Sequence, residues 1–289
     1  MSRPPTLDLP PGATARVLTT RRGSFAVHDT GDGPRGTALL IPGFTGSKED
    51  FIGLLEPLSR AGFRAVAIDG RGQYETGGPH DEAAYAQPEL ASDVLAQAEA
   101  LGGRPHLVGH SLGGLVSRAA ALREPALFAS LTLLSSGPGP VCAAQQARVK
   151  MLLGALPVLD MEAVWQAMRE LDPPEAADDV TPAAVADFLH RRWLANIPEQ
   201  LTATGRQLIG EPDRTAELAG LARGGLPLHV LSGERDYAWP VPEMDALAAG
   251  TGARRTVIAG AEHSPNADRP LQTAAALTAA WSDDGAARD

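Results

Sequence analysis

Short apolar runs, each closed by a turn residue, alternate along this chain with longer segments of helical periodicity. Thr37 to Gly43 (TALLIPG) and Phe63 to Gly70 (FRAVAIDG) are the clearest of them. The run SFAVHDTG around Val27 and those ending at Gly109, Gly137, Glu234 and Gly260 repeat the pattern. Several are continuously apolar rather than alternating, the mark of strands buried on both faces of a parallel sheet. Between them, Lys48 to Ala61, Glu89 to Leu101, Leu112 to Leu122, Pro242 to Ala249 and Pro270 to Trp281 carry helical spacing. This alternation predicts an α/β fold, a mostly parallel sheet with right-handed crossovers and helices on both faces.

One segment breaks the rhythm. From 138 to 222 no strand is evident, only helical patterns such as VLDMEAVWQAMREL and TPAAVADFLHRRWLANI separated by proline and acidic turns. The expected organisation is therefore a core made of 1–137 and 223–289, with 138–222 as a helical insertion. With 289 residues and 44% hydrophobic content the chain can bury a sizeable core. A net charge of -10 argues against a nucleic-acid partner, which requires a basic face. Cys142 stands alone, so no internal disulfide forms, and no Cys/His cluster has zinc-ligand spacing. The amino-terminal residues lack an apolar signal-peptide core, and no apolar run nears the roughly 20 residues of a membrane span. The expectation is a cytoplasmic protein with no membrane association, as a monomer or a homodimer. Glu49, Asp50 and the acidic stretch Glu175 to Asp179 are expected to be solvated faces, and Cys142 to be buried and inert.

Residues 107 to 115 read LVGHSLGGL, placing Ser111 between Gly109 and Gly113 where an apolar strand stops and a helix begins. A sharp strand-to-helix turn crowds the backbone around its central residue, so the positions two before and two after must be small. The turn lifts the serine hydroxyl clear of the sheet and aims the positive end of the helix at it. A serine so presented needs a base, and the base an orienting acid. Of the histidines, only His263 lies between the last strand pattern and the last helix pattern.

On these residues the chain resembles the α/β-hydrolase family, whose catalytic order is serine, acid, histidine. The resemblance implies the α/β-hydrolase fold with 138–222 as a helical cap, and a triad of Ser111, Asp236 and His263. Asp236 sits three beyond Gly233 in the G-x-x-D form of the family's acid loop, with Glu234 a distant second. The stretch LLIPGFTG is similar to the family's oxyanion loop, with Pro42 where histidine often stands. It implies that the backbone N–H groups of Phe44 and Leu112 hold the oxyanion. AIDGRGQYETGG matches a further family turn only in part, and Asp69 and Arg71 are read as structural. Tyr237 and Trp239, beside Asp236, are candidates for the substrate pocket. Trp165 and Trp193 are candidates too, although with Phe188 they are more simply read as packing within the cap.

The resemblance implies hydrolysis of a carboxylic ester or a related small-to-medium acyl substrate through an acyl-enzyme, with a small-molecule substrate and no metal or organic cofactor. Carbon–carbon bond hydrolases, thioesterases, lactonases and perhydrolases use similar residues, and fold with triad does not choose between them. A ligand-binding protein that has kept the fold without the chemistry is the remaining alternative.

Overall fold

The computed structural model describes residues 1–170 and 181–286, with side chains as far as residue 282 in the last helix. The strands are β1 (Thr14–Thr20), β2 (Gly23–Asp29), β3 (Thr37–Ile41), β4 (Arg64–Ile68), β5 (His106–His110), β6 (Ser130–Leu134), β7 (Leu228–Gly233) and β8 (Arg254–Ile258). They form one sheet in the order β1-β2-β4-β3-β5-β6-β7-β8. The pairs β1/β2 and β2/β4 are antiparallel and every later pair is parallel. The helices are α1 (Ile52–Arg60), α2 (Gln87–Ala100), α3 (Leu112–Arg123), α4 (Ala143–Ala155), α5 (Met161–Glu170), α6 (Ala183–Leu194), α7 (Pro198–Gly210), α8 (Thr215–Arg223), α9 (Val241–Thr251), α10 (Pro265–Asp268) and α11 (Pro270–Ala286). No helix among the described residues is long and apolar enough to cross a membrane.

The period of two along each buried strand divides the core into halves. Leu39 and Ile41 of β3, with Val66 and Ile68 of β4, face α2, α3 and α9, where Leu95, Leu115 and Leu247 close the layer. Ala38 and Leu40, with Ala65 and Ala67, face the opposite way, onto Ile52, Leu55 and Leu58 of α1 and Leu277 and Trp281 of α11. The first strand escaped the sequence pattern because it lies at the sheet edge. Only Leu18 of its residues is buried, so its apolar positions trace no core face. The helix expected from Lys48 begins instead as a 3-10 turn, Lys48–Phe51, before α1.

Between β6 and β7 the described chain is helical, as its pattern predicts. Trp165, Phe188, Trp193 and Leu201 gather into a third apolar cluster away from the sheet. Val149 of α4, Leu208 of α7 and Leu218 of α8 pack in the cluster facing α3, so the segment is anchored on the core at both of its ends. The acidic stretch Glu175 to Asp179 lies outside the described residues.

Glu49 and Asp50, expected to be solvated, are buried. Glu49 reaches the Lys48 ammonium at 2.9 Å, and that ammonium also meets Asp69 at 3.0 Å and Glu75 at 2.7 Å. Burial pulls Lys48 towards its neutral form, and the carboxylates around it more than offset that pull. Asp69 also accepts the backbone N–H of Lys48 at 2.7 Å, and Arg71 pairs with Asp93, so both residues serve structure. Asp50 is paired with Arg192 of α6 at 2.6 Å, both wholly buried. A carboxylate can leave water in this way only when its charge and its lone pairs are both answered.

Two buried histidines make the fold sensitive to acid. Burial pulls the His28 ring down to about 4 despite the nearby Glu49 carboxylate. It pulls His229 to about 4 as well, helped by Arg254 and Arg255. Both rings are neutral in the folded chain, whereas the unfolded chain titrates them near 6.5. The corresponding stability is whole above pH 6.5 and is lost as the pH falls towards 4, because only the unfolded chain binds protons in that interval. The expected slope is up to about 1.4 kcal/mol per pH unit for each ring. Urea unfolding of the wild type and of the His28→Gln/His229→Gln variant between pH 7 and 4 measures it. The variant should lose stability less steeply, and equal slopes would mean that the native rings are already charged.

Candidate active site

Ser111 sits at the turn from β5 into α3 with φ 55° and ψ -120°, a conformation that only a surrounding structure can impose on a serine. Its own N–H is held by Leu134 O of β6 at 2.9 Å. The flanking glycines are there for contact. A Cβ on Gly109 would lie 2.3 Å from Gly113 O, and one on Gly113 would lie 2.4 Å from Ile41 O and 2.5 Å from Pro42 O. These are backbone atoms that cannot step aside, so the tight turn and the close approach to β3 both require glycine.

His263 follows β8 and meets Ser111 across the sheet end, with Nε2 at 3.0 Å from Oγ. Its Nδ1 lies 2.9 Å from both Asp236 oxygens. The carboxylate is buried, and its Oδ1 accepts the backbone N–H groups of Ala238 at 2.7 Å and Trp239 at 3.1 Å. The loops bearing the acid and the base are joined: Glu234 N donates to Ala261 O at 2.9 Å, and Gly233 leaves room for Glu262 O. The Glu234 carboxylate points away, accepting from Gly260 N at 2.9 Å, so Asp236 alone reaches the histidine. His110, a variable position of the turn in the sequence, also has a task. Its Nε2 donates to His263 O at 2.8 Å, fixing the backbone of the base. Burial, first, and His263 beside it drive the His110 ring to about 3, so it stays neutral.

Leu112 opens α3, where N–H groups have no intrahelical acceptor. Phe44 lies in the loop after β3, and Gly43 beside it comes within 3.1 Å of the Ser111 Cβ, counted from an added methyl. Among the described residues neither the Phe44 nor the Leu112 N–H has an acceptor. Two free backbone donors thus flank a hydroxyl that is hydrogen-bonded to an imidazole, itself held by a buried carboxylate. Such a set can remove a proton from the hydroxyl and receive negative charge on an adjacent oxygen.

Ser111, His263 and Phe44 open onto a cavity of about 500 Å³. Val149, Leu152, Val164 and Trp193 supply apolar wall, and Tyr237 stands beside His263 with ring centres 4.7 Å apart. Trp165 and Trp239, candidates for this wall in the sequence, do not line it. Trp239 is fully buried with its Nε1 donating to Gly139 O at 3.0 Å, and Trp165 stacks on His190. Cys142 is half-buried rather than buried, its Sγ 3.2 Å from Tyr237 O. No group of three or more His, Cys, Asp and Glu among the described residues is placed to hold a metal ion.

A family model described as the alpha/beta hydrolase family matches residues 38–276. A protein of Variovorax paradoxus named as a carbamate hydrolase is 40% identical over 117 residues, which is 40% of this chain and 43% of that protein, so less than half of that relative is matched. The 2-hydroxy-6-oxononadienedioate/2-hydroxy-6-oxononatrienedioate hydrolase of Cupriavidus pinatubonensis is 30% identical over 82% of this chain and 84% of its own length. Among solved structures, a hydrolase from Pseudomonas aeruginosa PA01 superposes with a TM-score of 0.75 at 25% identity, covering 92% of this chain and 98% of that one. With the family match running from β3 into α11, over the sheet that carries the serine turn, this chain belongs to the alpha/beta hydrolase family.

Proposed function

We propose that the protein is a serine hydrolase cleaving carboxylic esters or related small-to-medium acyl compounds through an acyl-enzyme. The observation that carries this is the unbroken relay from Asp236 through His263 to Ser111 Oγ, at 2.9 and 3.0 Å. His263 Nε2 takes the hydroxyl proton as Oγ bonds to the substrate carbonyl carbon, and the carbonyl oxygen turns its new charge to the Phe44 and Leu112 N–H groups. The same imidazolium hands the proton to the leaving alkoxide as the carbon–oxygen bond breaks. Water, deprotonated by His263, then releases the acid and restores Ser111. Asp236 orients the ring and stabilises its charged form. The helices between β6 and β7 act as a cap over the cavity, and its apolar wall suits an acyl chain.

Carbon–carbon bond hydrolysis with the same three residues is the second reading, supported by one observation. The Cupriavidus pinatubonensis relative is named for a substrate that contains no ester. One experiment separates the cases: a fluorophosphonate probe read by intact mass, beside turnover of p-nitrophenyl butyrate and of a diketone. A single adduct and ester turnover, both absent in Ser111→Ala, are the expected result. An adduct with diketone but no ester turnover would select the second reading. Neither adduct nor turnover would leave a ligand-binding protein on the hydrolase fold.

A further inference from the structure

The cavity wall contributed by α4 has an unexpected composition. Gln145, Arg148, Val149, Met151, Leu152 and Ala155 of α4 all line the cavity, most of them on one helix face. Its amino-terminal part is polar and the rest is apolar. Arg148 is the cationic side chain of this wall, and it is exposed, so its charge is solvated and open to a ligand that enters the cavity. Arg148 makes no ion pair or hydrogen bond with any described residue, and neither does the Gln145 amide or the Tyr237 hydroxyl. The other charged side chain of the wall, Asp50, is already taken by Arg192. Arg148 and Tyr237 line the same cavity, and the Arg148 charge acts on the Tyr237 phenol. Of the acids nearby, Glu262 is engaged with Arg235 at 3.1 Å.

The face is also held in register. Cys142 N donates to Ala238 O at 2.8 Å, so the start of α4 is fastened to the loop that carries Asp236. Gln145 and Arg148 follow on the same helix and line the cavity with Tyr237. We propose that Arg148, Gln145 and Tyr237 form a carboxylate subsite in the cavity wall, so that the substrate is an acyl compound carrying a second, anionic end. This rests on the reading of Ser111 as the nucleophile, which places the scissile carbonyl beside Ser111. The guanidinium and the amide donate to the carboxylate and the apolar wall between holds the connecting chain.

The test uses monomethyl adipate against methyl hexanoate, esters matched in length but not in charge. Calorimetry on Ser111→Ala reads binding apart from chemistry, and wild-type kcat/KM for both esters reads it with chemistry. The expected result is a roughly tenfold preference for the adipate half-ester. The preference should collapse in Arg148→Gln, invert in Arg148→Glu and survive in part in Arg148→Lys. Arg148 is exposed, so these variants should fold, with an unchanged melting temperature as the check. Equal binding of the two esters, or a preference unchanged in Arg148→Gln, would overturn the subsite. Preferential binding without any Ser111 adduct would uphold the subsite and overturn the nucleophile.

Discussion

Replacing Asp236 by asparagine is expected to lower kcat about 10⁴-fold with little change in KM. Asp236 Oδ1 accepts two backbone N–H groups, from Ala238 and Trp239. An asparagine must leave its carbonyl oxygen on those donors, and this turns its NH₂ towards His263. Facing that NH₂, the ring favours the tautomer that accepts at Nδ1 and carries its proton on Nε2, the atom 3.0 Å from Ser111 Oγ. A nitrogen that already bears a proton cannot take the serine's. Steady-state kinetics and the rate of fluorophosphonate labelling should fall together, since both need the hydroxyl deprotonated. A loss below tenfold would remove Asp236 from its role as orienting acid.

The second large effect is on stability. Removal of the guanidinium in Arg192→Ala should cost about 3–5 kcal/mol in urea unfolding at pH 7, the usual penalty for stranding a buried charge. Arg192 holds Asp50 at 2.6 Å and donates to Ser2 O at 2.8 Å, so α6, the turn before α1 and the amino-terminal residues all lose a shared partner. Burial already raises the Asp50 carboxyl against the pull of Arg192. Without that pull it rises further, and a raised acid is more stable protonated, so the deficit should shrink as the pH is lowered. The Arg192→Met/Asp50→Asn variant, which removes both charges, should recover much of the loss. If Arg192→Ala costs less than about 1 kcal/mol, or its cost is flat with pH, the pair does not carry the junction.

The difference between what could and could not be read from the chain is one of distance. The serine turn is legible because its demands are local: Gly109 and Gly113 answer clashes with atoms of the same turn and of the adjoining strand. His263 and Asp236 are legible because the strand–helix alternation fixes where loops leave the sheet. Asp50 was misread because its partner lies 142 residues away on a helix whose placement no local pattern reveals. Tyr237 and Trp239 were equal candidates by position. Which one faces the cavity depends on the path of the loop, set by the two N–H bonds to Asp236, and those exist only in the folded chain.

The segment between β6 and β7 is not a detachable module. Arg118, on the helix that follows the nucleophile, donates to Gly137 O and Pro138 O where the excursion leaves the sheet and to Glu211 where it returns. At its first helix the excursion is bonded to the acid loop through Cys142 and Ala238. Grafting the cap of a relative between 138 and 222 would therefore exchange more than a roof. It would withdraw a support of the Asp236 loop and the partner of a buried arginine in one cut, so a recombinant library built at those seams is expected to lose turnover before it changes substrate preference.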